Sequence, residues 1–240
     1  GTIFMPATTP SQKINQVKLF GKENVDVVLV GDTFDDAYKA AVEFCQSKNA
    51  CFVHPFDDEK VIEGQGTVAK EIVEDADFEI DYVLIPIGGG GLAAGCVSYL
   101  SQTKPNVKII GVEPEGAPSM KTSIANGYNT ELTEIDKFVD GAAVKRVGDK
   151  TFEICKQKLS KIALVPEGKV CTTILNLYNQ QAIVVEPAGA LTVASLNYLK
   201  ETLKGKNVVC VVSGSNNDIM RTEEIRERSD RKSTRLNSSH

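Results

Sequence analysis

The feature of this sequence that most restricts its fold is an alternation of short, almost continuously apolar runs with amphipathic stretches. The runs cover residues 2–5, 25–30, 50–53, 80–87, 107–112, 162–165, 183–185 and 208–212. Each run has about the length of a strand, and strands that are apolar on both sides are typical of a parallel sheet with both faces covered. The alternation therefore predicts an α/β fold with open, mostly parallel sheets and helices on both faces.

Two of the intervening stretches carry clear helix signals. Ser11 precedes apolar residues at helical spacing, and Gly21 follows them as a stop signal. Thr33 is followed three residues later by Asp36, a variant of the capping box that begins many helices. The sequence thus predicts two strand–helix units before residue 50.

Composition excludes several classes of protein. The 240 residues include 27 Lys and Arg against 32 Asp and Glu, a formal charge of −5, and 42% are hydrophobic. This is an ordinary globular composition with an acidic balance, so neither a disordered chain nor a nucleic-acid-binding protein is expected. The apolar stretch 83–100 contains Pro86 and five glycines, which argues against a membrane span.

The cysteines and histidines favour a reducing, cytoplasmic setting without a metal site. Six cysteines are scattered along the chain with no Cys-x-x-Cys pair, and only His54 and His240 could supply imidazole ligands. The loop that begins at His54 separates the first strand–helix units from the rest, so we expect domains at 1–50 and 51–229. Residues 230–240 lose the apolar periodicity, which predicts a non-native tail.

The strongest local motif is a strand that runs into four glycines, Gly88, Gly89, Gly90 and Gly91, followed by Leu92 and a helix of small residues. Backbone N–H groups in such a loop can converge on an anion, and the helix N-terminus adds partial positive charge. The motif therefore favours a phosphate site over a simple flexible turn. No Gly-Lys-Ser/Thr follows the glycines, which disfavours a nucleoside triphosphate loop.

The identity of the phosphate compound stays open at this level. The pattern Gly88-x-Gly90-x-x-Ala93 formally satisfies the dinucleotide fingerprint, and Glu113 ends the next strand, where an acid could bind a ribose. On that reading the protein is a dinucleotide-dependent oxidoreductase.

Two further turns follow strand-like runs. Ser213 comes after the run 208–212, and its hydroxyl would face the same ligand as the glycines if both strands end at one sheet edge. The alternative is that Ser215, Asn216 or Asn217 simply caps a helix. Glu186 lies in a third such turn, as a partner of a helix N-terminus or as a side chain near a cofactor ring.

Five motifs, taken in order, give the sequence a specific resemblance. They are residues 62–67 (IEGQGT), 88–92 (GGGGL), 138–144 (FVDGAAV), 186–190 (EPAGA) and 213–216 (SGSN). In this order they resemble the threonine dehydratases, which belong to the fold type II, tryptophan-synthase-β-like enzymes that use pyridoxal 5′-phosphate. The similarity runs from residue 1 to about 229 and is greatest to the short biosynthetic form.

The resemblance implies which residues bind the cofactor. It implies that Ser213 makes a hydrogen bond to the pyridine nitrogen. It also implies that the cofactor phosphate is bound by Gly88, Gly89, Gly90, Gly91 and Leu92. A neutral hydroxyl holds that nitrogen less protonated than a carboxylate would, which favours β-elimination. The implied reaction converts L-threonine to 2-oxobutanoate and ammonia, a step of isoleucine biosynthesis, in a homo-oligomer; a serine dehydratase or serine racemase-like enzyme is the alternative.

The resemblance also implies that the Schiff-base lysine of the family is missing from these residues. The Schiff-base lysine of the family lies in a Ser-x-(Phe/Asn)-Lys-x-Arg-Gly-like stretch, and no such stretch occurs here. We therefore assign no catalytic residue and expect an N-terminally truncated fragment that is inactive alone, in which residues 1–50 belong to the small subdomain and 51–229 to the large cofactor-binding domain.

Overall fold

The computed structural model describes residues 1–237, with residues 35 and 230–237 described by their backbone only. The chain divides into two compact units, with the boundary along the sequence between Val53 and His54. The assignment of these units to a small subdomain and a cofactor-binding domain stays a prediction.

The first unit contains a two-stranded parallel sheet. Strands β1 (Thr2–Met5) and β2 (Asp26–Leu29) pair in parallel, and helices α1 (Ser11–Gly21) and α2 (Phe34–Lys48) follow them. The predicted capping box at the start of α2 is confirmed: Asp36 N–H donates to Thr33 Oγ1 over 3.2 Å, and Thr33 N–H donates to Asp36 Oδ2 over 3.0 Å.

The second unit is built on a four-stranded sheet with all strands parallel. Its order is β5-β4-β3-β6, with β3 at Tyr82–Pro86, β4 at Lys108–Pro114, β5 at Lys161–Val165 and β6 at Val208–Cys210. The helices are α3 (Glu59–Asp75), α4 (Gly91–Thr103), α5 (Ser119–Asn126), α6 (Asp149–Lys158), α7 (Glu167–Gln181), α8 (Pro187–Ser195), α9 (Lys200–Leu203) and α10 (Thr222–Asn237).

Helices cover both faces of this sheet, as the continuous apolar runs predicted. Leu84 and Val112 point to one face, where they pack with residues of α7, α8 and α10. Val83 and Ile85 point to the other face and pack with α3, α4 and α6. Successive strand residues alternate between two cores, which is why β3 is buried along its whole length. The predicted α/β fold class is confirmed.

Two predicted strands are wrong, and both fail for the same reason. Residues 50–53 and 183–185 directly follow helices that end in the left-handed conformation, at Asn49 (φ 50°) and Ala182 (φ 55°). The next N–H group in each case bonds back into the helix, from Ala50 to Cys45 O over 2.9 Å and from Ile183 to Leu177 O over 3.1 Å. These apolar residues terminate helices instead of pairing in a sheet.

The C-terminal helix α10 continues through residue 237, into the stretch predicted to be a non-native tail, and residues 238–240 lie outside the described part of the chain. Within the described residues, no helix combines the length and the apolar character that crossing a bilayer requires.

Candidate functional site

The glycine loop and Ser213 lie at the same edge of the large sheet. Strands β3 and β6 are parallel neighbours, and Leu84 pairs with Cys210. The glycines begin two residues after β3, and Ser213 lies three residues after β6. Because parallel strands of matched register end at one edge, the two turns emerge side by side.

This edge is also where the strand order of the sheet reverses. From β3 the chain passes through α4 to β4 on one side, whereas β6 lies on the other side of β3. The loops that follow β3 and β6 therefore diverge and leave a crevice between them. In open α/β sheets, ligands bind at such a switch point.

A cavity of about 330 Å³ occupies this crevice. All its lining residues belong to the second unit. They are Pro55, Phe56, Gln65, Pro86, Gly88, Gly89, Gly90, Gly91, Leu92, Gly141, Ala142, Glu186, Ala188 and Ser213. The structure thus brings all six predicted cofactor-binding residues to one cavity.

The glycine loop has a shape that other residues would not adopt. Gly90 has φ 95°, and a β-carbon there would lie 2.7 Å from Thr151 Oγ1 and 3.0 Å from Met120 Cε. A β-carbon on Gly89 would collide with the ring of Phe56. Among the described residues, no protein acceptor is recorded for the N–H groups of Gly89 and Gly90. The loop therefore presents bare backbone to the cavity, at the N-terminus of α4.

The turn that carries Ser213 is held by α8 and β3. Val211 N–H donates to Leu84 O over 3.0 Å, and Thr192 Oγ1 on α8 donates to Val211 O over 2.9 Å. Glu186 N–H donates to Gly214 O over 3.1 Å. These bonds fix the backbone on both sides of Ser213, which is exposed at the cavity wall.

Helix capping takes place after this turn, not within it. The side chain of Asp218 accepts a hydrogen bond from Met220 N–H over 2.9 Å and begins a short 3₁₀ turn, Ile219–Arg221, ahead of α10. The interpretation of Ser215, Asn216 or Asn217 as the helix cap is therefore wrong, because Asp218 is the residue that caps the first helical turn.

Glu186 contributes its side chain to the cavity. It is the residue that precedes the first turn of α8, but its carboxylate makes no capping bond to that helix. A β-carbon added to Gly141 would lie 3.1 Å from Glu186 Oε1, and one added to Gly214 would meet the same oxygen. The carboxylate therefore lies between these two glycines, at the cavity wall.

Glu113 has a different role from the one suggested by the dinucleotide fingerprint. It is only 1% exposed, and its carboxylate accepts hydrogen bonds from the N–H groups of Met120 (2.7 Å) and Lys121 (2.9 Å) in the first turn of α5. Burial raises its pKa to about 7. Because Glu113 does not line the cavity, it cannot bind a ribose there.

The cysteines are unpaired, and Cys96, Cys155 and Cys171 are buried, which raises the pKa of each thiol to about 12.

Among the described residues, no group of three or more His, Cys, Asp or Glu side chains could hold a metal ion.

Sequence reasoning missed several residues of the cavity wall. Pro55 and Phe56 lie in the loop that begins at His54, to which the sequence assigns only a boundary between domains. The sequence assigns no separate role to Gln65, Gly141 and Ala142. Phe56 carried no usable local signal, because Phe78, which also lies beside two acidic residues in a loop, is exposed in the same structure. Gln65, Gly141 and Ala142 lie within two of the five ordered motifs, but only the tertiary structure shows that they line this cavity.

Comparison with known proteins gives consistent matches. The model of the family described as pyridoxal-phosphate dependent enzymes matches residues 1–214. The biosynthetic L-threonine dehydratases IlvA of Halalkalibacterium halodurans and Bacillus subtilis are 59% and 56% identical to this chain, over 95% of it and over 55% and 54% of their own lengths. The chain thus spans about half the length of these relatives.

A solved structure is similar as well. The processed form of threonine deaminase isoform 2 from Solanum lycopersicum superimposes with a TM-score of 0.88 at 39% identity, over 95% of this chain and 62% of that one. These matches confirm the resemblance that the five ordered motifs indicated.

Proposed function

Because this chain belongs to the family of pyridoxal-phosphate-dependent enzymes, we propose that it forms the cofactor-binding part of an enzyme that deaminates L-threonine to 2-oxobutanoate and ammonia. The observation that carries this proposal is the single cavity lined by both the glycine loop and Ser213. Relatives named L-threonine dehydratase, at 53–59% identity, support the choice of substrate.

The residues present fit pyridoxal 5′-phosphate. Its phosphate needs several converging N–H donors, and the loop from Gly88 to Leu92 offers backbone that a β-carbon at Gly89 or Gly90 would block. Its ring needs a flat slot and a partner for the nitrogen. The hydroxyl of Ser213 supplies that partner across the same cavity, whose volume of about 330 Å³ suits a compact cofactor.

Each wall of the cavity has a distinct task in this proposal. The glycine loop binds the phosphate and so fixes the position of the whole cofactor. Ser213 orients the ring through its nitrogen without adding a charge. Pro55 and Phe56 enclose the phosphate end and exclude water from it. When bound, the cofactor supplies an electron-withdrawing ring, which assists removal of the substrate's α-proton and expulsion of its β-hydroxyl.

The dinucleotide alternative loses its ribose-binding acid, because Glu113 is committed to the first turn of α5. Serine dehydratase and serine racemase-like activities share the same cavity residues. We favour threonine because relatives at 53–59% identity carry that name.

Binding of a phosphate-bearing cofactor analogue tests the proposal on this chain alone. Pyridoxine 5′-phosphate has no aldehyde, so it cannot react with surface lysines, and calorimetry should detect its binding while unphosphorylated pyridoxine binds much more weakly. We expect Ser213→Ala to lower the affinity for the analogue by about tenfold, which corresponds to the loss of roughly one hydrogen bond. Ser47→Ala, on α2 of the first unit, is the matched control and should bind like the parent chain.

Activity requires the family's Schiff-base lysine, which is not among these 240 residues. We expect the chain alone, supplied with pyridoxal 5′-phosphate, to release no more 2-oxobutanoate than the free cofactor does. Joining it to the lysine-bearing segment of the Bacillus subtilis relative should restore release from L-threonine. Faster release of pyruvate from L-serine by that chimera would instead favour a serine dehydratase.

We further propose a cytoplasmic location and a homo-oligomeric enzyme. Six unpaired cysteines support a reducing compartment. Sedimentation of the active chimera measures the oligomeric state, and a monomer would contradict this part of the proposal.

A further inference from the structure

The outer side of the glycine loop is anchored by residues that do not line the cavity. The carbonyl oxygen of Gly89 accepts a hydrogen bond from Thr151 Oγ1 over 2.7 Å and another from Gly148 N–H over 3.2 Å. Thr151 lies in the first turn of α6 and is completely buried. Its hydroxyl also lies 3.2 Å from Gly148 O, but the bond to Gly89 O is the shorter one, so the hydroxyl is used by backbone carbonyls and not by a ligand.

These two bonds determine where the next N–H group points. In a trans peptide the C=O and the following N–H point in opposite directions, and the described residues contain no cis peptide. Because the carbonyl of Gly89 faces Thr151, the N–H of Gly90 must face the other way. Gly90 lines the cavity, so a donor is aimed into it.

A carboxylate from a distant part of the sequence holds Thr151 in place. Asp57 accepts hydrogen bonds from the N–H groups of Asp149 (2.9 Å), Lys150 (2.9 Å) and Thr151 (3.1 Å), which satisfies the first turn of α6. His54 Nδ1 in turn accepts from Asp57 N–H over 2.8 Å. A β-carbon on Gly148 would collide with Asp57, so the fit is close.

The same short loop supports the glycines from a second direction. The ring of Phe56 lies where a β-carbon of Gly89 would be, and Phe56 Cα would be 3.2 Å from a β-carbon of Gly91. One loop therefore packs against the glycines directly and braces them through α6.

We propose that Thr151, held by Asp57, is a positioning residue that orients the Gly89–Gly90 peptide for an anionic group of the ligand. The inference rests on the proposed function, in which that group is the cofactor phosphate. Thr151 touches no ligand; it acts through the direction of the Gly90 N–H. A preset donor loses little conformational freedom when the anion binds, which strengthens binding.

The test compares Thr151→Val, which removes the hydroxyl at nearly constant shape, with Thr151→Ser, which keeps it. Calorimetry with pyridoxine 5′-phosphate should show affinity reduced about tenfold in Thr151→Val and restored to within about threefold in Thr151→Ser. Thr173→Val is the matched control: it is 6% exposed, and its hydroxyl bonds Lys169 O on α7, away from the cavity. It should bind like the parent chain even if its midpoint of thermal unfolding falls as much.

A second readout needs no ligand. In ¹⁵N relaxation of the free protein, the order parameter of the Gly90 amide should fall in Thr151→Val and stay unchanged in Thr173→Val. If the parent chain fails to bind pyridoxine 5′-phosphate, the proposed function is wrong, and the Gly90 order parameter alone decides the positioning role. If the parent chain binds and Thr151→Val binds equally well, the positioning role is overturned while the proposed function stands.

Discussion

Replacing Gly90 by alanine tests how closely the glycine loop is enclosed. The substitution adds one methyl group at φ 95°, a conformation that residues with a β-carbon rarely adopt. The new carbon would lie 2.7 Å from Thr151 Oγ1 and 2.8 Å from Thr151 Cβ. Both distances are shorter than van der Waals contact, so either the loop or Thr151 has to move.

The expected cost has two parts. A non-glycine residue in a sparsely populated backbone region costs about 1–3 kcal/mol. Crowding a fully packed site adds about 1–3 kcal/mol. Because Thr151 is completely buried and its hydroxyl holds Gly89, it cannot rotate away without losing that bond. We expect the free energy of unfolding to fall by about 2–6 kcal/mol.

Gly127→Ala separates the two parts. Gly127 also has a positive φ, of 81°, but a β-carbon there would meet nothing within 4 Å. Urea denaturation should therefore give a cost of about 1–3 kcal/mol for Gly127→Ala, from backbone strain only. Gly90→Ala should exceed it by about 1–3 kcal/mol and should also lose affinity for pyridoxine 5′-phosphate. Equal costs for the two variants would refute the enclosure of the loop by Thr151.

Three further outcomes follow from the structure. Thr33→Ala removes the capping box of α2 and should lower the stability of the first unit by about 1 kcal/mol, measured by amide exchange of α2; no change would mean that the cap adds nothing. Burial raises the pKa of Glu113 from 4.5 to about 7, so between these pH values the folded state binds a proton that the unfolded state has lost. The free energy of unfolding should therefore decline as the pH rises from 4.5 through 7. Glu113→Gln should flatten this decline when the free energy is measured by urea denaturation at each pH, and an unchanged slope against pH would contradict the role of Glu113. Ser213→Ala in an active chimera should lower kcat more than it changes the affinity for L-threonine, because the hydroxyl orients the cofactor and not the substrate; a change confined to KM would argue against that role.

The sheet and its edge could be predicted from sequence because they depend on local patterns. Buried parallel strands such as β3 are apolar at every position, and the glycines directly after β3 indicate a loop conformation that residues with a side chain would not adopt. Once β3 and β6 are known to be parallel neighbours, the meeting of the glycine loop with Ser213 follows, but that they are neighbours is shown only by the structure.

The wrong strands show where local patterns mislead. Ile183 follows Ala182, a left-handed residue whose type gives no sequence signal for a helix end, whereas Ala50 follows Asn49, a residue type that does favour the left-handed conformation. An apolar residue after a left-handed helix end packs back on the helix and terminates it. In the sequence, however, its apolar pattern is the same as that of the first residues of a strand.

The support behind the glycines was invisible in the sequence for a different reason. Asp57 and Thr151 are 94 positions apart, and only the packing of α6 against the loop that begins at His54 brings them together. A bond of this kind depends on tertiary structure, which no local pattern encodes.

The central claim is that the glycine loop and Ser213 hold the two ends of one cofactor. A crystal structure of this chain with pyridoxine 5′-phosphate tests it most directly. We predict the phosphate oxygens within hydrogen-bond distance of the N–H groups between Gly88 and Leu92, and the ring nitrogen within hydrogen-bond distance of Ser213 Oγ. A ligand bound elsewhere, or bound with its ring directed away from Ser213, would contradict the account.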